Sequence, residues 1–322
     1  MNWLDYIFDD RVAFEEKALS VFQYQVKENK LYADYILALN TNIDEVKRIE
    51  DIPFLPVSFF KTHKVICGDE NFQNAFTSSG TTGDTSSHYI KDLALYESSF
   101  MKSFEQFYGD ITEYCFLALL PSYLEREGSS LVYMCQHLIE KSKHPLSGFY
   151  LHNRSELYQS LQQLKKENQK TILIGVTYAL LDQAADFPMD FPELIIMETG
   201  GMKGKRKEMI REEIHDILKA AFHVNAVHSE YGMTELLSQA WSAGNGVYIC
   251  PAWMKLLVRN VNDPMEVKSK GSGGVNIIDL ANIYSCSFIA TQDLCIINDD
   301  HSFTIIGRFD NSDLRGCNLM IL

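Results

Sequence analysis

Five hydroxyl side chains and two glycines fall within Thr77-Ser78-Ser79-Gly80-Thr81-Thr82-Gly83-Asp84, with no apolar residue among the eight. Such a stretch has nothing to bury and suits neither a helix nor a strand. Its glycines admit positive φ and let a ligand approach the backbone, while free N–H groups and hydroxyls can cradle an anion such as a phosphate. The same residues also suit a polar surface turn. Three further polar clusters bear on the choice: Glu198-Thr199-Gly200-Gly201-Met202-Lys203-Gly204-Lys205, His228-Ser229-Glu230-Tyr231-Gly232-Met233-Thr234-Glu235, and Gly307-Arg308-Phe309-Asp310 running on to Arg315-Gly316. A kinase or GTPase loop needs Lys-Ser/Thr directly after its second glycine, and here Asp84 follows Gly83. Gly271-Ser272-Gly273-Gly274 is no dinucleotide fingerprint, because no helical pattern follows it. His223 and His228 lack metalloprotease spacing.

These clusters must be held by something, and the pattern between them alternates. Residues 2 to about 50 read as helical, with Val12, Leu19, Phe22, Leu31, Tyr35, Ile36 and Leu39 on an apolar stripe. Val65-Ile66-Cys67 reads as a short strand before a Gly68-Asp69 turn. Helices are expected at 93–107, 129–140, 155–166 and 205–220. The runs 115–120, 171–175, 194–197 and 224–227 read as strands, the first two apolar enough to be buried on both faces. Strands alternating with helices predict an α/β fold of parallel βαβ units, with ligands at the carboxyl ends of the strands. After about Gly244, short strand-like pieces between Gly and Asn-Asp turns predict a smaller, mostly β subdomain.

Composition narrows the partners. The chain has 322 residues, 46% hydrophobic, and a net charge of −14 from 29 Lys+Arg against 43 Asp+Glu. A strongly acidic surface argues against general nucleic-acid binding, which needs phosphate-neutralising cations. No run of 18 apolar residues could span a membrane, and the first residues lack a signal-peptide pattern, so a cytoplasmic location is expected. Seven scattered cysteines without Cys-x-x-Cys pairs fit reduced thiols better than disulfides or a zinc site. Cys317 stands apart, between Gly316 and Asn318 near the C-terminus.

Taken together, Ser79-Gly80-Thr81-Thr82-Gly83, Tyr231-Gly232-Met233-Thr234-Glu235, Thr291-Gln292-Asp293-Leu294 and Gly307-Arg308…Asp310-Asn311…Arg315-Gly316 resemble the adenylate-forming superfamily of acyl-CoA synthetases, luciferases and peptide-synthetase adenylation domains. Phe54-Leu55-Pro56-Val57-Ser58-Phe59-Phe60-Lys61 and Thr199-Gly200-Gly201 with Lys203-Gly204 are similar to one branch, the acyl-protein synthetases (LuxE family), with phenylacetate–CoA ligases as nearest relatives. The resemblance runs from about residue 50 to the end. It implies layered αβαβα sheets over 1–306, with the β-rich subdomain at about 244–306. Residues 307–322 would form a hinge motif and a truncated end, with the mobile C-terminal domain essentially absent.

The resemblance also implies roles. Ser79, Gly80, Thr81, Thr82 and Gly83 would wrap the β- and γ-phosphates of ATP, Thr234 would contact the α-phosphate, and Glu235 would ligate Mg²⁺, which prefers oxygen ligands. Tyr231 would stack near adenine beside Gly200 and Gly201. Asp293 would accept hydrogen bonds from the ribose, Arg308 would reach ribose or phosphate, and Asp310 would be the hinge. The implied activity is conversion of a carboxylic acid, expected to be a fatty acid, into an acyl-adenylate, with transfer to a protein thiol. Cys317 is either that thiol or an unreactive one; Arg315 nearby would lower its pKa. The acyl would then pass to a reductase or carrier protein. An aryl- or acyl-CoA ligase using a C-terminal domain in trans and a catalytically silent nucleotide or acyl binder are the alternatives. One departure bears on the loop: many superfamily members carry a lysine just after it, where this chain has Asp84-Thr85-Ser86-Ser87.

Overall fold

A computed structural model describes residues 2–78, 85–120, 128–150, 153–200 and 209–309. The expected N-terminal helical stretch is three helices, α1 (Trp3–Ile7), α2 (Phe14–Glu28) and α3 (Lys30–Ala38), followed by two 3₁₀ turns. Asn29 makes the break: it ends α2 and its side chain accepts from Tyr32 N at 3.0 Å, capping α3. After β1 (Leu55–Pro56) and α4 (Phe59–Thr62), the expected strand at 65–67 does not form. Instead Cys67 N donates to Tyr284 O at 2.8 Å, docking this segment on a loop of the second sheet.

Next comes a hairpin that the sequence pattern did not reveal, β2 (Asn74–Thr77) and β3 (Ser87–Ile90), whose connection is the glycine-rich stretch. From α5 (Leu93–Tyr108) the chain alternates: β4 (Cys115–Leu119), α6 (Ser130–Ser142), β5 (Gly148–Phe149), α7 (Arg154–Lys166), β6 (Thr171–Gly175), α8 (Thr177–Asp186), β7 (Ile195–Glu198), α9 (Arg211–Phe222), β8 (His228–Tyr231) and β9 (Ala240–Ser242). These strands form one sheet in the order β5-β4-β6-β7-β8-β9, parallel except for β9. Every residue of β4 and β6 is buried, as their continuous apolar sequences require between two helical layers. The strand expected at 224–227 starts at His228 instead. Val224 and Val227 are buried in the connection after His223, which ends α9 at φ +57. The polar His228-Ser229-Glu230-Tyr231 therefore forms the last parallel strand, paired on one side with β7 and on the other with the antiparallel edge strand β9.

The second sheet contains β10 (Met254–Arg259), β11 (Val267–Lys268), β12 (Gly271–Asp279), β13 (Phe288–Ile297) and β14 (Phe303–Arg308). Its order is β1-β13-β12-β10-β11 with β14 on β13; only the β1–β13 pair is parallel. Buried polar bonds tie the layers together. Gln25 donates to Asn282 O at 2.9 Å and Asn29 to Ser285 O at 2.8 Å, while Trp241 Nε1 donates to Ser103 Oγ at 2.7 Å. One apolar core runs through both sheets and the N-terminal helices. No described helix is long and apolar enough to cross a membrane.

Candidate functional site

The carboxyl ends of β7 and β8, the β2–β3 hairpin, the middle of β13 and the end of β14 are the elements that carry the predicted residues. Ser79, Gly80, Thr81, Thr82, Gly83, Gly201, Asp310 and Cys317 lie outside the described residues. The neck of the glycine-rich stretch is described. Ser78 N donates to Ser86 O at 3.0 Å, and Ser86 N donates to Ser78 Oγ at 2.9 Å.

Three predicted residues meet. Asp293 on β13 and Arg308 on β14 are cross-strand partners, and Arg308 Nε donates to Asp293 Oδ1 at 3.0 Å. Across from them, the Tyr231 hydroxyl at the end of β8 donates to Asp293 Oδ2 at 2.8 Å. The Asp293 side chain is only 14% exposed whereas that of Arg308 is 66% exposed, so the pair opens outward from the arginine side. Burial and the Asp293 charge hold the Tyr231 phenol well above its ordinary pKa, so it acts as a donor. Its ring packs edge-on against Phe303. Each Asp293 oxygen keeps a second lone pair, which is what acceptance from two neighbouring hydroxyls requires.

Thr234 and Glu235 follow in a turn, with Leu236 N donating to Met233 O at 3.1 Å. Glu235 is buried, and burial raises its carboxyl pKa; the Ser86 hydroxyl beside it acts in the opposite direction. Two buried side chains grip the turn's carbonyls: His88 Nδ1 donates to Thr234 O at 2.9 Å and Asn282 Nδ2 to Glu235 O at 2.8 Å. Buried Asp279 accepts from Leu237 N at 2.8 Å, from Ser238 N at 2.9 Å and from the Ser238 hydroxyl at 2.6 Å. A Cβ at Gly232 would stand 2.3 Å from Glu230 Oε1, so a side chain there would make the Glu230 carboxyl shift. That Glu230 carboxyl is pushed up to about 8 by burial and then by the Glu198 charge.

Gly200 sits past the end of β7 at φ +75, a conformation that favours glycine. Its N–H donates to Glu198 Oε1 at 3.1 Å, an oxygen that also accepts from the Thr177 hydroxyl. Burial raises the Glu198 pKa, but His215 and Thr177 outweigh it and the net shift is downward. Among the described residues no three His, Cys, Asp or Glu side chains cluster as a metal cage. A lone buried carboxylate such as Glu235 still fits Mg²⁺, which takes one or two carboxylates and completes its shell with waters and substrate phosphates.

Solved structures share the fold over most of the chain. It superimposes on a 2-hydroxyisobutyryl-CoA ligase, solved with 2-hydroxyisobutyryl-AMP and CoA, at TM-score 0.67 and 12% identity, covering 92% of this chain and 69% of that one. The fold is that of the adenylate-forming enzymes. A second neighbour, ATP-bound MatB from Rhodopseudomonas palustris, gives TM-score 0.54 and 15% identity over 73% of this chain and 47% of that chain. A curated relative, the long-chain-fatty-acid–luciferin-component ligase of Photorhabdus luminescens, is 33% identical over 78 residues, 24% of this chain and 66% of the relative. The chain thus spans between about half and 69% of the proteins it matches. No family model matches it.

The sequence pattern gave no role to His88, Ser86, Glu198, Asp279 or Asn282. Ser86 and Glu198 flank recognised motifs and could have been read with them. His88, Asp279 and Asn282 carry no local signal, since their partners lie far along the chain.

Proposed function

We propose that this adenylate-forming chain activates a carboxylic acid with ATP. A carboxylate oxygen of the acid attacks the α-phosphorus, the bond to the pyrophosphate oxygen breaks, pyrophosphate leaves and an acyl-adenylate remains. The observation that carries this reading is the Tyr231–Asp293–Arg308 cluster at the meeting of the two sheets. In it, an acceptor suited to ribose hydroxyls stands beside a guanidinium suited to a phosphate or ribose oxygen. The solved neighbours support it further, one holding ATP and another an acyl-AMP.

In this reading Asp293 fixes the ribose, Thr234 donates its hydroxyl to the α-phosphate, and residues 79–83 hold the β- and γ-phosphates. Gly200 and Gly201 let the backbone lie against the adenine beside Tyr231. Mg²⁺ on Glu235 would supply charge neutralisation at the phosphates. Positioning and fixed dipoles carry most of the rate in such a transfer. The acid is a fatty acid and the acceptor a protein thiol, with Cys317 taking the acyl group before a reductase or carrier protein. The fatty-acid ligase relative supports the first of these finer points.

Carboxylate-dependent ATP–pyrophosphate exchange tests the core of the reading. Exchange should appear on adding fatty acids; none with acids of any chain length would leave a silent binder. Incubation with ATP and labelled fatty acid should then label the protein, and equal labelling of Cys317→Ala would exclude that thiol. Formation of acyl-CoA on adding CoA would assign the acceptor to CoA instead, as in the CoA-ligase neighbours.

A further inference from the structure

We propose that His88 is a positioning residue that fixes the Thr234–Glu235 peptide against β3; its catalytic consequence rests on the reading above. His88 lies on β3, the strand leaving that stretch, directly opposite Phe76 on β2, the strand entering it. Its side chain is fully buried, and the edge of its ring system meets Phe60 at 5.5 Å between centroids. Burial pushes the imidazole down to about 4, so it is neutral at physiological pH. A neutral imidazole has one N–H, and a carbonyl can only accept, so the proton sits on Nδ1 facing Thr234 O.

Packing alone does not account for a histidine here. Its Nε2 is buried without a partner among the described residues, which costs free energy that a phenyl ring would not. What the imidazole supplies is one N–H aimed at the carbonyl of the peptide bond joining Thr234 to Glu235. That peptide unit is planar. Holding its oxygen fixes the plane from which both the Thr234 and the Glu235 side chains depart. Asn282 holds the next carbonyl, so two successive peptide planes are set from behind.

The other end of the tether is the neck of the glycine-rich stretch. Ser86 lies two residues before His88, just ahead of β3, closes the neck on Ser78, and stands against the Glu235 carboxyl. The neck of the stretch and the imidazole that holds the turn's carbonyl therefore lie on one short segment, 86–88. A misplacement of about 1 Å between such groups can cost about a hundredfold in rate.

Three variants test the assignment. His88→Phe keeps a ring and removes the donor. His88→Asn places an amide N–H near the Nδ1 position, whereas His88→Gln places it near Nε2. The turn itself is read by hydrogen–deuterium exchange of peptides covering 232–240, which needs no activity. His88→Phe and His88→Gln should lose protection there while the β4 and β6 peptides keep theirs, and His88→Asn should retain it. In ATP–pyrophosphate exchange, His88→Phe should lower the maximal rate about tenfold to a hundredfold, with little change in the ATP concentration at half-maximal rate. His88→Asn should restore most of that rate. Unchanged protection in His88→Phe, or equal behaviour of the Asn and Gln variants, overturns the proposal. A wild-type protein with no exchange, but with the predicted protection pattern, would remove the adenylation reading and leave the positioning role standing.

Discussion

The Tyr231 hydroxyl donates to Asp293 Oδ2 at 2.8 Å, joining the last parallel strand of one sheet to the antiparallel sheet beside it. Arg308 occupies the other oxygen of the same carboxylate. The acceptor is thus held on both sides without using up its lone pairs. Asp293→Ala should weaken ATP binding more than Tyr231→Phe, which leaves the arginine contact in place. A hydrogen bond to a charged group contributes about 1.5–3 kcal/mol, so the alanine variant should lose roughly tenfold to a hundredfold in affinity. Equilibrium titration with ATP reads this, and an Asp293→Ala protein binding as well as wild type would exclude the ribose role.

Thr234 and Glu235 differ in what their removal should do. Thr234→Ala deletes one hydroxyl from a half-buried turn and should depress exchange about a hundredfold with little effect on folding. Glu235→Gln keeps the shape of a buried side chain but removes its charge, so its exchange should need more Mg²⁺ to reach half-maximal rate. A Mg²⁺ titration of exchange separates the two. The metal assignment fails if Glu235→Gln and wild type share one Mg²⁺ dependence.

Buried Asp279 gathers four donors: Leu237 N, Ser238 N, the Ser238 hydroxyl and Ala281 N. It caps a short 3₁₀ turn on one side and fixes the chain just after Glu235 on the other. Asp279→Ala leaves several buried donors without an acceptor and should cost about 3 kcal/mol of stability. Asp279→Asn keeps one acceptor oxygen and should cost less. Chemical denaturation measures both, and an alanine variant as stable as wild type would remove Asp279 from the framework of the site.

How much of this was legible beforehand follows from the kind of signal each part leaves. Glycine and hydroxyl runs stand out locally, but Asp293 or Arg308 alone reads as a surface charge, and their roles became legible only from the four clusters taken together. The apolar runs of β4 and β6 announce buried parallel strands. Polar strands announce nothing: His228-Ser229-Glu230-Tyr231 has no apolar period, and the preceding Val224 and Val227 drew the expected strand too early. The His88–Thr234 and Asn282–Glu235 bonds join segments 146 and 47 residues apart, and one side chain meeting a distant carbonyl leaves no periodicity. The Glu230–Glu198 proximity likewise depends on β7 and β8 being neighbours, which only the sheet order supplies.

That carboxylate pair gives a pH dependence with a definite sign. Glu230 is pushed up from 4.5 to about 8, first by burial and then by the negative charge of Glu198 on the adjacent strand. Between those values the folded chain holds a proton at Glu230 that the unfolded chain has released. Its stabilising contribution is therefore complete below 4.5 and is lost as pH rises through about 8. Glu230→Gln stays neutral at every pH and should remove this slope. Melting temperatures of both proteins should converge near about pH 5 and separate by about pH 9, with the variant higher. Parallel profiles would mean that Glu230 ionises as freely in the folded chain as in the unfolded one. Exchange activity should follow the same titration if Glu230 faces the bound acid, because a neutral carboxyl beside the Tyr231-Gly232 backbone tolerates a second carboxylate that an ionised one repels.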